Sequence, residues 1–267
     1  MTADGIGVPL RRREDRRFLT GRGRYVHDIV QPHQLHAVFV RSPHAHAEIV
    51  AIGKAEALAA TGVAAIFAAE DVTADKLNGV PCAWGIVGRD GKPMNEPPHP
   101  LLARGKVRHV GDPVAMVVAD SVDAARSAAE RIAIDYRVLP AVTGVVAATA
   151  LGAPRLYDDA PGNLCCDWGI GDAAATDAAF AKAHHIAKID LVNNRLVPNA
   201  MESRAALAEF EPATGDYTLY TSTQLPHVAR VLIGVLVLGI PERKLRVVAP
   251  DVGGSFGSKQ VRQAHPL

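Results

Sequence analysis

The sequence predicts an α+β protein of two regions, and three observations lead there. Short strand-like runs alternate with brief helical ones in the first half. The stretch "HVGDPVAMVVADSVDAARSAAERIAIDYRVLP" reads as strand, helix and strand. The second half holds a hairpin pattern followed by an apolar helix and one more strand. With 267 residues the chain can bury a sizeable core in one or two domains.

Residues 1–19 form an arm whose basic run, Arg11 to Arg17, is broken by Glu14 and Asp15, which suits a solvated or partner-facing segment better than a nucleic-acid contact. Strands are expected at residues 34–40 and 47–52, flanking the turn "RSPHAH". The stretch "KAEALAATG" is a brief helix ended by Gly62, and "VAAIF" returns as a strand. Residues 78–99 are rich in Gly and Pro and read as a long loop. Val114 to Val118 then form a strand of the buried type, Asp120 caps a helix carrying Asp123 in its first turn and running to Ile132, and Ile134 to Val138 close a β-α-β unit. Residues 20–140 therefore make one compact domain.

Residues 141–160, low in charge and rich in small side chains, read as a linker to a second region at 161–267. There a helix is expected at 172–183, a strand in "IAKIDLVNNRL", and two strands joined by a turn at Pro212 to Asp216. Val228, Val231, Leu232, Val235 and Leu238 recur at helical spacing, so a core helix is expected up to Gly239 and Pro241, with a last strand at Leu245 to Val248.

Several function classes are disfavoured. Twenty-nine basic and 28 acidic residues leave a net charge of +1, which recommends neither nucleic acid nor an anionic membrane as the main partner. The start lacks an apolar leader core and no apolar run is long enough to span a bilayer, so a cytoplasmic location is expected. Cys82, Cys165 and Cys166 form no C-x-x-C pair, and no iron–sulfur or zinc site is expected in this chain. His44 and His46 lie on a turn without a third ligand and read as structural, as do His184 and His185 at a helix end.

The stretch "APDVGGSFGSKQ" holds the most informative chemistry. Three glycines around a phenylalanine permit positive φ and leave backbone N–H groups open to a ligand. Neither phosphate motif fits: Ser258 separates Gly257 from Lys259, which spoils a P-loop, and Gly253, Gly254 and Gly257 give only G-G-x-x-G where a dinucleotide fold needs G-x-G-x-x-G. On local spacing, a tight turn and a ligand loop remain equally open.

Six ordered blocks decide it: "GRGRYVHDI", "LHAVFVRSPHAHAEI", "HVGDPVAMVVADS", "MESRAALAEF", "TSTQLPHVARVLI" and "APDVGGSFGSK". Together they resemble the molybdenum-cofactor subunit of the xanthine dehydrogenase, aldehyde oxidase and aerobic carbon monoxide dehydrogenase family, over about Pro9 to Lys259. The resemblance implies an a/b hammerhead domain at 20–140 followed by the truncated start of a molybdopterin-binding domain. It implies that Gly253, Gly254, Ser255, Phe256 and Gly257 line a molybdenum-molybdopterin site, in the cytosine dinucleotide form, with Phe256 shielding it from water. Gln224, in "TSTQ", matches the glutamine whose side-chain amide donates toward the metal centre. Glu202 and Arg204, in "MESR", match a family motif and are expected to form an internal ion pair or a hydrogen-bond scaffold.

No catalytic residue and no direct metal ligand is expected here, because the family places its general base and its remaining pterin contacts past the glycine loop. The ending "QVRQAHPL" reads as a premature or frame-shifted tail, or as the end of one half of a divided subunit. The implied activity is oxidative hydroxylation of an aldehyde or N-heterocycle, or oxidation of carbon monoxide. Its [2Fe-2S] and FAD groups would sit on partner subunits, and a separately encoded C-terminal half would complete the subunit. The competing reading is a non-catalytic gene remnant or assembly module that keeps a partner-binding surface.

Overall fold

The computed structural model describes residues 7, 9–82, 85–194 and 196–260; the tail "VRQAHPL" lies outside the described residues. A short helix α1 (Asp15–Leu19) precedes strands β1 (His36–Arg41) and β2 (Ala47–Gly53), helix α2 (Ala55–Leu58), strand β3 (Val63–Phe67) and helix α3 (Ala69–Ala74). After the long loop come β4 (Lys106–Val107), β5 (Pro113–Ala119), α4 (Val122–Ala129) and β6 (Ala133–Val138).

These strands make two three-stranded antiparallel sheets, ordered β1-β5-β3 and β4-β2-β6. The expected β-α-β unit is therefore split. β5 is the centre of one sheet and β6 pairs with β2 in the other, so α4 crosses between sheets instead of returning to its own. The composition of β5 explains its place. Ala115, Val117 and Ala119 pack with Ala125 and Ala128 of α4, whereas Val114 joins Ala47, Ala103 and Val107 against the second sheet. A strand covered on both faces reads as an unbroken apolar run. The cap of α4 is Ser121, whose side chain accepts from the Ala124 N–H, rather than Asp120. Asp120 instead lies against Gly62, where a Cβ would come within 2.5 Å of its carboxylate.

The expected linker is partly ordered. It contains helix α5 (Val145–Ala148), and beyond that Arg108 donates to the Leu156 carbonyl at 2.9 Å and stacks on Tyr157. The Gly- and Pro-rich loop is irregular as expected, with one bridge between Val87 and Pro93, and it ties to residues 164–167 through Asn95 and Arg89.

Helix α6 (Ala173–Lys182) forms where expected, capped by Asp172, and none of its residues is buried. The strand expected in "IAKIDLVNNRL" is absent: its described residues are exposed and pair with no other strand among the described residues. The hairpin forms as β7 (Ala206–Glu211) and β8 (Asp216–Thr221). Helix α7 (Pro226–Ala229) follows, then a π-helical run over Arg230–Val237, and strand β9 (Leu245–Val248) lies parallel to β8 at the sheet edge.

The π winding changes which residues face the core. Of the positions chosen at α spacing Leu232 is buried, whereas Val228, Val231 and Val235 stay 39–42% exposed, and Val237, five residues beyond Leu232, is buried as well. Beyond the ties of Asn95 and Arg89 to residues 164–167, two more hydrogen-bonded contacts among the described residues join this region to the first. The Asn78 backbone and side chain donate to the carbonyls of Val237 and Leu236, closing the helix end. The other contact lies at the glycine loop.

Candidate cofactor-binding site

The glycine loop leaves the end of β9 and is clamped at three points. At its start Asp251 accepts both guanidinium nitrogens of Arg17, one of them at 2.6 Å, and the Arg24 N–H at 2.7 Å. The N-terminal arm is thus docked on the loop. The Arg17 hydrogen bond, helped by the Arg24 N–H, holds the Asp251 carboxyl below the usual carboxylate range, and Asp251 in turn raises Arg17.

The middle clamp is a buried ion pair. Lys259 Nζ lies 2.6 Å from Glu202 Oε2, with side-chain exposures of 1% and 9%. The same carboxylate oxygen accepts the Gly253 N–H at 2.7 Å, and the Glu202 N–H donates to the Gly253 carbonyl. A Cβ on Gly253 would sit 2.5 Å from Glu202 Cβ, so the close approach of Glu202 by itself requires a glycine here. Arg204 donates to the Ser258 carbonyl, so "MESR" forms the hydrogen-bond scaffold; the ion pair of Glu202 is with Lys259.

The third clamp brings the expected site residues together. The Lys259 carbonyl accepts the Thr223 hydroxyl at 3.1 Å and the Gln224 N–H at 3.3 Å. Ser255 Oγ donates to Gln224 Oε1 and accepts the Lys259 N–H. With Oε1 occupied, the Gln224 side chain keeps its two N–H donors for another acceptor.

Positive φ at Gly254, Phe256 and Gly257 (97°, 49° and 85°) turns the loop back and forth, a conformation that leaves successive N–H groups unpaired within the chain. The N–H groups of Gly254, Ser255, Phe256 and Gly257 have no hydrogen-bond partner among the described residues, whereas those of Gly253, Ser258 and Lys259 are used. A left-handed phenylalanine is unfavourable, and this one gains little burial in return, its side chain being 76% exposed. Its ring packs over Gly254, where a Cβ would be 3.0 Å from the ring edge.

Open backbone donors beside a neutral amide fit an anionic, phosphate-bearing group with a pterin, and they offer no ligand to a bare metal ion. Among the described residues no three His, Cys, Asp or Glu side chains converge as a metal site. His46 Nδ1 bonds to the Pro140 carbonyl at 2.8 Å, with Nε2 buried and unbonded among the described residues, and His44 stacks edge-on to Tyr136, while His184 and His185 are exposed. Cavity size does not mark the site. A cleft of about 450 Å³ lies in the first region between β2 and α3, and none of the glycine-loop residues lines it. Lys259, Asp251, Arg17 and Arg24 escaped the sequence reading. The sequence offers Lys259 only as a misplaced P-loop lysine, and the acid–base match of Glu202 with Lys259 is the available clue.

Comparison with known proteins adds the rest. Residues 20–140 match the family model "Aldehyde oxidase and xanthine dehydrogenase, a/b hammerhead domain", and residues 156–266 match "Molybdopterin cofactor-binding domain". The chain is 39% identical to the carbon monoxide dehydrogenase large chain of Hydrogenophaga pseudoflava, over 92% of this chain and 31% of that one. It is 35% identical to the nicotine 6-hydroxylase large subunit of Paenarthrobacter nicotinovorans, over 97% and 31%. The crystal structure of quinoline 2-oxidoreductase from Pseudomonas putida 86 superposes with a TM-score of 0.80 at 37% identity, covering 95% of this chain and 31% of its counterpart. The chain thus spans about a third of the length of the curated relatives it matches. Among the described residues no helix is long and apolar enough to cross a membrane.

Proposed function

This chain belongs to the family of molybdenum-cofactor-binding large subunits that includes xanthine dehydrogenase, aldehyde oxidase and carbon monoxide dehydrogenase, matching their N-terminal portion, and on that premise we propose that it supplies one wall of a molybdopterin-binding cleft in a molybdenum hydroxylase. The row of open N–H groups at Gly254 to Gly257 beside the Gln224 amide carries the reading.

When bound, the molybdenum-molybdopterin cofactor supplies two-electron redox chemistry for hydroxylating an aldehyde or N-heterocycle, or for oxidising carbon monoxide. The residues of this chain hold and orient it. The N–H groups of Gly254, Ser255, Phe256 and Gly257 would donate to anionic oxygens, and Ser255 holds Gln224 Oε1, which leaves the amide NH₂ to donate as well. Phe256, exposed in this chain, would shield the bound group from water once the opposite wall of the cleft is in place. Gly253 belongs to the site as the residue that lets Glu202 brace the loop. The two carboxylates bonded to the loop, Glu202 and Asp251, are both held in ion pairs, so neither serves as the general base.

The wider assembly is part of the same proposal: the cytosine dinucleotide form of the cofactor, a cytoplasmic location, and partner subunits carrying [2Fe-2S] and FAD. The relatives' designations as large chain and large subunit support the partners. By itself the chain is expected to be inactive, because a base and the opposite wall must come from elsewhere. The test is expression in a molybdenum-replete host, with and without the remaining two-thirds of a related large subunit, followed by measurement of bound molybdenum, released pterin and turnover. The expected result is cofactor and turnover only in the completed subunit, with both lost in Gly254→Val. Turnover by the chain alone would contradict its inactivity, and a completed subunit without cofactor would favour a gene remnant or assembly module.

A further inference from the structure

A second cleft, of about 340 Å³, opens between the first helical turn of α7 and the edge strand β9, and its charge is one-sided. Its walls carry Arg230 from the π-helical run, Arg243 from the turn before β9, Arg246 from β9 itself and His227 from α7, and no carboxylate lines it. Next to it stands Glu242, which pairs with Arg230. Three guanidinium groups therefore gather beside one paired carboxylate, Glu242, with Asp216 within electrostatic reach of Arg243 but bonded to Lys244, in a molecule whose whole net charge is only +1.

The residue next in sequence shows what an ordinary surface cation does here. Lys244 is fully occupied, 3.0 Å from Asp216 and 2.7 Å from the Thr214 carbonyl. Arg243 and Arg246 make no ion pair or hydrogen bond among the described residues, and Arg230 Nε is buried without a partner. Gathering like charges in a concave site is unfavourable unless an anion joins them.

We propose that this cleft binds an organic phosphate, a phosphate monoester or diphosphate of mononucleotide size, through Arg243, Arg246 and Arg230. A single carboxylate is satisfied by one guanidinium fork, whereas a phosphate offers three oxygens and close to two charges to several forks at once. The volume sits at the small end of ligand pockets, which run from about 300 to 1,000 Å³. Pro226 and Leu245 add an apolar wall against which a base or sugar can rest. This site is separate from the glycine-loop donors, so it stands or falls independently of the cofactor reading.

The experiment is isothermal titration of the full chain with inorganic pyrophosphate, adenosine monophosphate, adenosine and an oligoglutamate peptide. Pyrophosphate and adenosine monophosphate are expected to bind saturably and to compete, adenosine not to bind, and affinity to fall as salt rises. Preference for adenosine monophosphate identifies a nucleotide, and equal affinities identify the phosphate alone. Arg243→Gln/Arg246→Gln should weaken binding by about 10-fold or more, since each charge-assisted hydrogen bond is worth about 1.5 kcal/mol or more. Glu242→Gln, which frees Arg230, should tighten it. Arg89→Gln, at an exposed arginine paired elsewhere with Asp167, should change nothing and serves as the folding-matched control. Absence of saturable binding at millimolar ligand, an Arg89→Gln loss equal to the double variant's, or binding of oligoglutamate in preference to phosphate would each overturn the proposal.

Discussion

Residues 36–138 and residues 164–260 are similar stretches of one chain, yet they dispose of their apolar side chains in opposite ways. The first closes on itself: β5, paired in one sheet, packs its Val114 against the other, and Ala47, Ala57, Val107, Val114, Val117, Ala125 and Ala128 are all fully buried. The second concentrates its order at one end, where α7, the π-helical run and β9 bury Ala229, Leu232, Val237 and Leu245. Over 173–197 it leaves Phe180, Ile189, Leu191, Val192 and Leu196 more than half exposed. The teaching is that the glycine loop is precise without a large local core. Its geometry comes from charged and polar clamps, Arg17 on Asp251 and Glu202 on Lys259, rather than from burial of hydrocarbon.

That contrast makes ordered predictions. The largest effect is in hydrogen exchange. Amides of β5 should exchange at least about 10³-fold more slowly than exposed amides of 186–194, because the former open only with global unfolding. Comparable rates would erase the distinction. Next is the buried pair. Lys259→Met should destabilise the loop region by about 3 kcal/mol, since it strands the Glu202 charge, while Glu202→Leu/Lys259→Met should recover most of that loss in urea unfolding. In the closed region, Val117→Ala should cost about 2 kcal/mol through lost transfer and a small cavity, with no effect on the loop amides.

The smallest effect is the pH response of the arm. Asp251 has a depressed carboxyl, so its contribution is fully present above its unfolded value of about 3.9 and is lost as pH falls through the lower native value. Loop amides should therefore loosen on acidification below about pH 4, and Arg17→Gln should raise the onset toward pH 4 and flatten it. An unchanged acid profile in Arg17→Gln would show that the arm does not hold the loop.

The two regions also differed in how far their sequence could be read. β5 declared itself by an unbroken apolar run, but nothing local stated that α4 would carry the chain into a different sheet, because pairing partners are set by distant strands. Asp120 and Ser121 are both capping types, so residue type alone does not say which of them caps α4. The alternation in "IAKIDLVNNRL" has strand character, and strand character without a neighbour does not make a strand. Around Leu232 the α period failed because the turn widened to π, which no side-chain pattern announces. At the glycine loop, Gln224 and Ser255 were legible only through the family resemblance. Lys259 was visible as a residue type and invisible as a clamp, its partner Glu202 being 57 positions away.

The most direct test of the central claim watches the loop itself. In a completed large subunit loaded with molybdopterin and compared with its cofactor-free form, hydrogen exchange at Gly254, Ser255, Phe256 and Gly257 should slow, because those N–H groups acquire an acceptor. The N–H of Gly253, already given to Glu202, should change little, and β5 should not change at all. Protection that leaves 254–257 untouched while the cofactor is bound would show that these donors do not hold it.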